Sequence, residues 1–390
     1  AQDHNKVTAI VELERPGAEI FEGTGVAVKH VYPGGRTFDV EADLEKLEQF
    51  SLVSGVISTS LDFELTPDLK QGLALIGANK VRPDFDGSGI AIAIIDSGVD
   101  PTHPMLGGSA VCDSKNFTND KVIGGWDTGE KDSLPCDSSK HGTSVAGIAA
   151  GLVPDKSNTA SENYVGGVAP GAKIYALKIT KANGRPGSNA YLAALRWIGK
   201  HWNDDPKHPI LVVNNSNTWN KPGNESCQHD KNSYGNKVIA ALEYLNKLGI
   251  TVFNSAGNAG SARGVQWPGC MDRVQSVGAV RDTNDLVLGS SNTGDLLDFF
   301  APANPTITTV PGGKYGKFGT TSAAAAYAAG AAAVIQQAAI QKLGHYLEPS
   351  QLLSVLRDSG KMVGDPKTKP LITRPRIDLL EAIRLLDRQT

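Results

Sequence analysis

Four polar residues stand where strands end or helices begin. Asp96 closes the apolar run Ile90-Ala91-Ile92-Ala93-Ile94-Ile95 and precedes Ser97-Gly98. That puts a carboxylate at the carboxyl end of a buried strand, where α/β sheets hold their sites. His141 leads into Gly142-Thr143-Ser144-Val145-Ala146-Gly147, a helix start of small residues that lets the backbone lie tight against a sheet and fixes the height of the imidazole. Asn258 follows Ser255-Ala256-Gly257, and its amide can donate to a developing oxyanion. Ser322 follows Gly319-Thr320-Thr321 at the opening of an alanine-rich helix, where exposed amides and the helix dipole favour negative charge on a reacting oxygen. Taken singly, these residues have plain readings as turn formers or N-caps. Their joint occurrence in the order Asp, His, Asn, Ser is what points to a hydroxyl nucleophile activated by an imidazole and a carboxylate.

The elements that must position them follow from the hydrophobic texture. From Gly89 onward, continuous apolar strands at Ile90–Ile95, Ala172–Ile179, Ile210–Val213 and Ile250–Phe253 alternate with helices expected at Ser144–Leu152, Asn189–Trp202, Asn236–Leu248 and Ala323–Leu343. Unbroken apolar strands are buried on both faces, which predicts an α/β fold with a parallel central sheet and helices on both sides. Before it, residues 1–65 read as a small α+β unit. It has β-branched runs at Val7–Leu13 and Val26–Val31, a third strand at Thr37–Val40 after the turn Pro33-Gly34-Gly35, a short amphipathic helix over Asp43–Phe50 and a last strand near Ile57–Leu65. Thr66–Asp86, punctuated by Pro, Gly and Lys, reads as a linker into the second domain, 66–390.

Bulk composition excludes other classes. The 390 residues carry a net charge of -3, with 38 basic and 41 acidic side chains and no basic stripe, so no nucleic-acid partner is expected. The longest apolar run, Ala323–Ile335, is interrupted by Gly330 and falls short of the ~20 residues of a membrane span. Ala1 is compatible with the residue left by signal-peptidase cleavage, and a secreted or extracytoplasmic location is expected. Cys112, Cys136, Cys227 and Cys270 are an even set in polar, loop-like contexts without C-x-x-C spacing, which reads as two disulfides. Of three connectivities, nearest-neighbour closure (112 with 136, 227 with 270) is the expectation, each bond contributing roughly 3 kcal/mol.

These stretches resemble the subtilisin family of serine peptidases, whose triad runs Asp, His, Ser along the chain. The resemblance rests on Ile94-Ile95-Asp96-Ser97-Gly98-Val99-Asp100 with His103-Pro104, His141-Gly142-Thr143-Ser144-Val145-Ala146-Gly147, Gly167-Val168-Ala169-Pro170, Ala256-Gly257-Asn258 and Thr320-Thr321-Ser322-Ala323-Ala324, in order, from about Thr66 to the C-terminus. It implies a serine endopeptidase in which Ser322 attacks, His141 transfers protons, Asp96 orients the imidazole, and Asn258 with the Ser322 amide forms the oxyanion hole. It also implies that Ser216, Asn217, Thr218, Ser255, Ala256 and Gly257 bind a protein or peptide substrate. The N-terminal unit resembles a propeptide that acts as inhibitor and folding chaperone and is removed between Leu65 and Thr66, although Pro16 and several glycines occupy the place of its usual first helix.

Several positions depart from the family pattern. Thr320, Ala326 and Tyr327 stand where Gly, Pro and His are usual; Asn217 for Leu removes an apolar wall and Thr218 for Gly adds bulk, and Thr218 with Ser255 is expected to narrow the pocket in favour of medium aliphatic residues before the scissile bond. Met105 replaces the Asp of the family's tight calcium site, and its loop region reads Leu152-Val153-Pro154-Asp155-Lys156-Ser157. That site is expected to be absent. A structural calcium elsewhere stays open, and the chemistry requires no cofactor or metal. The alternatives are a macrocyclase or transpeptidase on the same scaffold, a catalytically dead binding module, and a lipase or esterase. The intact quartet argues against the second, and the missing Gly-x-Ser-x-Gly with the wrong triad order argues against the third.

Overall fold

The computed structural model describes residues 6–31, 34–62, 69–109, 111–113, 117–155, 163–181, 183–219, 227 and 233–388. It divides into two compact units, Ala1–Thr66 and Pro67–Thr390.

In the smaller unit, strands β1 (Lys6–Leu13), β2 (Ala27–Val31), β3 (Thr37–Asp43) and β4 (Val56–Asp62) form an antiparallel sheet in the order β2-β3-β1-β4. Strand β3 alternates strictly between buried and half-buried positions, so Phe38, Val40 and Ala42 share one face. Helix α1 (Leu44–Phe50) brings Leu47 and Phe50 to the same core. Phe21 stacks on Phe50 at 4.9 Å and tilts on Phe38 at 4.8 Å. Phe21 sits in a single 3-10 turn, Glu19–Phe21, where glycines and Pro16 leave no longer helix. Leu65, Thr66 and the turn residue Pro33 lie outside the described residues.

The larger unit begins with two helices, α2 (Leu69–Leu75) and α3 (Ala78–Val81), where the sequence reads as a linker. Leu69, Leu73, Ile76 and Val81 are buried, so this segment is part of the core; Gly72 and Gly77 had masked its periodicity. The strands and helices that follow are β5 (Ala91–Asp96), β6 (Val122–Asp127), α4 (His141–Ala150), β7 (Lys173–Lys178), α5 (Ser188–His201), β8 (Ile210–Asn215), α6 (Ser233–Lys247), β9 (Thr251–Ser255), β10 (Val274–Val280), β11 (Phe299–Pro302), the hairpin β12 (Thr306–Val310) and β13 (Lys314–Phe318), α7 (Thr320–Leu343), α8 (Pro349–Ser359), β14 (Lys361–Asp365), β15 (Ile372–Arg376) and α9 (Leu379–Asp387). Nine strands make one sheet in the order β14-β15-β11-β10-β9-β8-β5-β7-β6, parallel except for the β14–β15 pair. On β5, Ile92 and Ile94 join the cluster containing α4 and α7, while Ala91, Ala93 and Ile95 join the one containing α5 and α6. The sheet is therefore covered on both sides, and each fully buried isoleucine contributes roughly 1.5–3 kcal/mol.

The chain runs from β5 outward to β6, returns through β7, and then crosses to β8 on the other side of β5. That reversal opens a crevice at the carboxyl ends of β5 and β8. Helix α7 lies beneath it. At 24 residues it is long and apolar enough to cross a membrane by composition, which the shorter Ala323–Ile335 run did not suggest, yet 94 % of its most apolar window is buried inside the fold. Alanine predominates because neighbours approach closely: a Cβ added at Gly330 would lie 2.6 Å from the Val168 Cβ and 2.7 Å from the Ala149 carbonyl.

Candidate active site

Asp96 is the last residue of β5 and is 1 % exposed. Its Oδ1 accepts the Ser97 amide at 2.7 Å and the His141 Nδ1–H at 2.7 Å. Because a carboxylate only accepts here, Nδ1 carries the proton and Nε2 is left as an acceptor, 3.2 Å from the Ser322 hydroxyl. The three side chains predicted from the sequence thus meet in one hydrogen-bonded line. His141 is the first residue of α4 and keeps 35 % of its side chain open. Gly142 makes the meeting possible, since a Cβ there would sit 2.0 Å from the Gly98 carbonyl and 3.0 Å from the Asp96 Cβ.

A second carboxylate braces the junction. Asp137 Oδ1 accepts the Ser97 hydroxyl (2.8 Å) and the Ser139 and Lys140 amides, and its Oδ2 accepts the Thr143 amide and hydroxyl. Ser97 Oγ in turn accepts the Gly142 amide at 2.9 Å, tying the end of β5 to the start of α4. Burial opposes the charged form of His141, but attraction and a hydrogen bond from Asp96, with the nearby charge of Asp137, outweigh it and hold the imidazole above its ordinary value of 6.5. Phe318, from β13, meets the His141 ring edge to face at 5.0 Å.

Ser322 lies in the first turn of α7 and is 5 % exposed. It exchanges bonds with Ser216: Ser216 Oγ donates to the Ser322 carbonyl (3.0 Å), and the Ser322 hydroxyl also lies 3.3 Å from the Ser216 carbonyl. Asn258 is exposed, and its Oδ1 accepts both the amide (3.1 Å) and the hydroxyl (2.8 Å) of Thr321. Those two donors orient the amide so that Nδ2 is the end available to donate. The Thr321 hydroxyl also accepts the Gly257 amide at 3.2 Å. Thr321 and Asp137 escaped the sequence reading; the only hints were a hydroxyl beside Ser322 and an acid four residues before His141.

The expected substrate segments follow the carboxyl ends of β8 and β9. Asn217 turns its amide to the Ile95 carbonyl (3.1 Å) and to Asn215, so its polar end anchors the loop to β5. Ser255 and Ala256 are buried backbone carriers. Between Thr218 and Gly257 lies Gln266, which the sequence did not single out. The structure pairs Cys112 with Cys136 and Cys227 with Cys270, at Cα separations of 6.2 and 5.5 Å. The first anchors the segment whose Pro135 carbonyl takes the Val99 amide beside Asp96. Met105, at the position of the family's calcium ligand, is buried in the apolar core, and Lys156 and Ser157 lie outside the described residues. Among the described residues, no group of three or more His, Cys, Asp or Glu is placed to share a metal.

A parallel α/β sheet with Asp, His and Ser in line at its carboxyl edge defines a serine hydrolase. The sequence profile of the subtilase family matches residues 87–370, and the chain belongs to that family. Its enzyme class is accordingly serine endopeptidase of the subtilisin type. Among relatives, an intracellular serine protease of Paenibacillus polymyxa is 29 % identical over 77 % of this chain and 83 % of its own length. Subtilisin E of Bacillus subtilis (strain 168) is 29 % identical over 79 % of this chain and 71 % of its own. A solved lanthipeptide protease shares the fold with a TM-score of 0.63 and 23 % identity, over 82 % of this chain and 95 % of that one. Subtilases require no cofactor for the chemistry of peptide hydrolysis.

Proposed function

We propose that Ser322 is the nucleophile of a self-processing endopeptidase. Ser322 Oγ attacks the peptide carbonyl carbon while its proton passes to His141 Nε2. The carbonyl electrons move onto oxygen, where Asn258 Nδ2 and the Ser322 amide donate to the resulting oxyanion. Collapse of this intermediate expels the amine, which takes the proton from His141, and leaves an ester on Ser322. Water, deprotonated by the same imidazole, hydrolyses the ester and returns the proton to Ser322. Asp96 holds the tautomer and stabilises the imidazolium throughout. The observation that carries this reading is the unbroken Asp96–His141–Ser322 line, 2.7 and 3.2 Å long.

The substrate peptide adds as a strand along Ser216–Thr218, using main-chain hydrogen bonds. In this reading residues 1–65 form a propeptide that templates the slow-forming parallel sheet, inhibits the enzyme, and is cleaved between Leu65 and Thr66 by Ser322 itself. Support comes from its compact four-stranded unit with a separate core. The two disulfides support an oxidising, extracytoplasmic setting. The test is N-terminal sequencing of wild type beside Ser322→Ala: wild type should begin near Thr66 and the variant should stay full length. Equal processing of both would rule out self-cleavage.

A further inference from the structure

Asn258 is exposed, and its contacts with Thr321 fix only the far end of its side chain. The place of its backbone depends on the residues on either side, and one buried residue holds both. Asn292 is 1 % exposed. Its amide donates to the Gly257 carbonyl at 2.9 Å, just before Asn258, while its Oδ1 accepts the Ala259 amide at 2.9 Å and the Ser261 amide at 3.0 Å, just after it. Backbone groups complete the clasp: the Gly260 amide donates to the Ser290 carbonyl and the Thr293 amide to the Ser261 carbonyl, each at 2.8 Å. Residues 257, 259, 260 and 261 are thus each bonded to the segment Ser290–Thr293, with Asn258 between them. That segment is moored in turn by the hairpin of β14 and β15. The Thr293 hydroxyl donates to Asp365 Oδ2, at the end of β14, and Lys367 Nζ donates to the Ser291 carbonyl. Thr293 and Asp365 are both 0 % exposed, so water does not compete for their bond.

We propose that Asn292 is a positioning residue for the oxyanion donor: it keeps Asn258 Nδ2 where the developing charge arrives, and the β14–β15 hairpin keeps Asn292 in place through Thr293 and Asp365. The proposal rests on Asn258 being that donor. A donor of this kind is effective because it is already aimed when the charge forms, so no rearrangement falls within the reaction step. Misplacing such a group by about 1 Å costs on the order of 100-fold in rate. Without the Asn292 side chain, the Ala259 and Ser261 amides lose their shared acceptor and turn to water, and the loop that carries Asn258 is free to shift. The substrate carbonyl bears little charge before attack and is held by the rest of the bound chain. Loss of the clasp therefore falls on the transition state and on kcat, and leaves KM nearly where it was.

The experiment is a double-mutant cycle between Asn292→Ala and Asn258→Ala, read in kcat and KM of peptide hydrolysis, with thermal unfolding of each protein alongside. Asn292→Ala should lower kcat by about 10- to 100-fold while KM stays within about twofold. Once Asn258 is already Ala, the same change should lower kcat by no more than about threefold further, because the group it positions is gone. A merely structural role would lower kcat by the same factor in both backgrounds, and that outcome overturns the proposal. So does an unchanged kcat, or a loss that falls on KM. Thr293→Val keeps the shape but removes the bond to Asp365, and should lower kcat by about 3- to 10-fold; Thr293→Ser restores the hydroxyl and should recover it. Should Asn292→Ala fail to fold, the Thr293 pair decides: a folded Val variant as fast as wild type, or a Ser variant no faster than Val, overturns the proposal equally. An Asn258→Ala protein with undiminished kcat would instead sink the reading of Asn258 as the oxyanion donor and the proposal with it, an outcome read without any Asn292 variant.

Discussion

The Asp96–His141–Ser322 line and the expected pocket walls meet at the carboxyl edge of one sheet, the line from the end of β5 and the starts of α4 and α7, the walls from the ends of β8 and β9, yet they are constrained differently. Asp96, His141 and Ser322 are each gripped by backbone groups or by polar side chains that are themselves gripped, as with Ser97, Asp137, Ser216 and Thr321. Changing any one member strands the others. The expected pocket walls, which follow β8 and β9, are tied instead by bonds between neutral groups, from Asn217 to the Ile95 carbonyl and from Thr218 to Gln266. Chemistry requires a fixed set of atoms at fixed distances; recognition of a side chain requires only a volume and its polarity.

If that contrast is right, the largest losses come from the catalytic line. Ser322→Ala should reduce kcat by about 10⁶-fold, the scale measured for the equivalent change in subtilisin, with KM nearly unchanged, as read in steady-state peptide hydrolysis. Retention of a tenth of wild-type turnover would break the comparison at its root. Asn258→Ala should cost about 10²–10³-fold in kcat, since one oxyanion donor is removed. A matching rise in KM would mean that Asn258 only positions substrate. Thr320, a β-branched residue at φ +62°, is strained two residues before Ser322. Thr320→Gly in a Ser322→Ala background, which prevents self-digestion, should raise stability by ~1 kcal/mol, the relief of strain being partly offset by the added freedom of the unfolded chain. Thermal unfolding reads this as a rise in Tm, and a fall would show that the threonine is accommodated.

The smallest effect concerns pH. His141 holds its proton above the ordinary 6.5, and catalysis needs Nε2 unprotonated, so kcat/KM should fall as pH falls through a midpoint above 6.5. Asp137→Asn removes one of the charges that favour the imidazolium and should move that midpoint to lower pH. A profile that moves upward or not at all would confine Asp137 to bracing the helix start.

Much of this organisation is legible in the chain. The run Ile90–Ile95 announces a doubly buried strand, and the candidate residues Asp96, His141 and Ser322 are each marked by the element boundary they occupy. Strand β6 was not legible, because Gly124 and Gly125 interrupt its apolar run, nor was β10, which carries Gln275, Ser276 and Gly278 among its valines. Helix α2 hides behind Gly72, whose Cα lies so near the Tyr327 hydroxyl that an added Cβ would be 2.2 Å away. At the site, residues that act through local contact with a strand end could be inferred. Gln266 could not, because its partner Thr218 is 48 positions away and nothing in either neighbourhood signals the bond. Long-range pairing of neutral polar groups leaves no periodic trace.

Helix α7 carries a further implication for how such a chain diversifies. Its buried positions are mostly alanine, packed so that Gly330 has no room for even a methyl group, and adding a methylene to such a core typically costs 1–3 kcal/mol. Random substitution along 24 residues is therefore filtered by folding before activity is ever tested, and the helix that carries Ser322 tolerates little drift. Variants that survive to be selected will concentrate in the loops at the strand ends, so descendants of this sequence should differ in diet while sharing one catalytic metabolism.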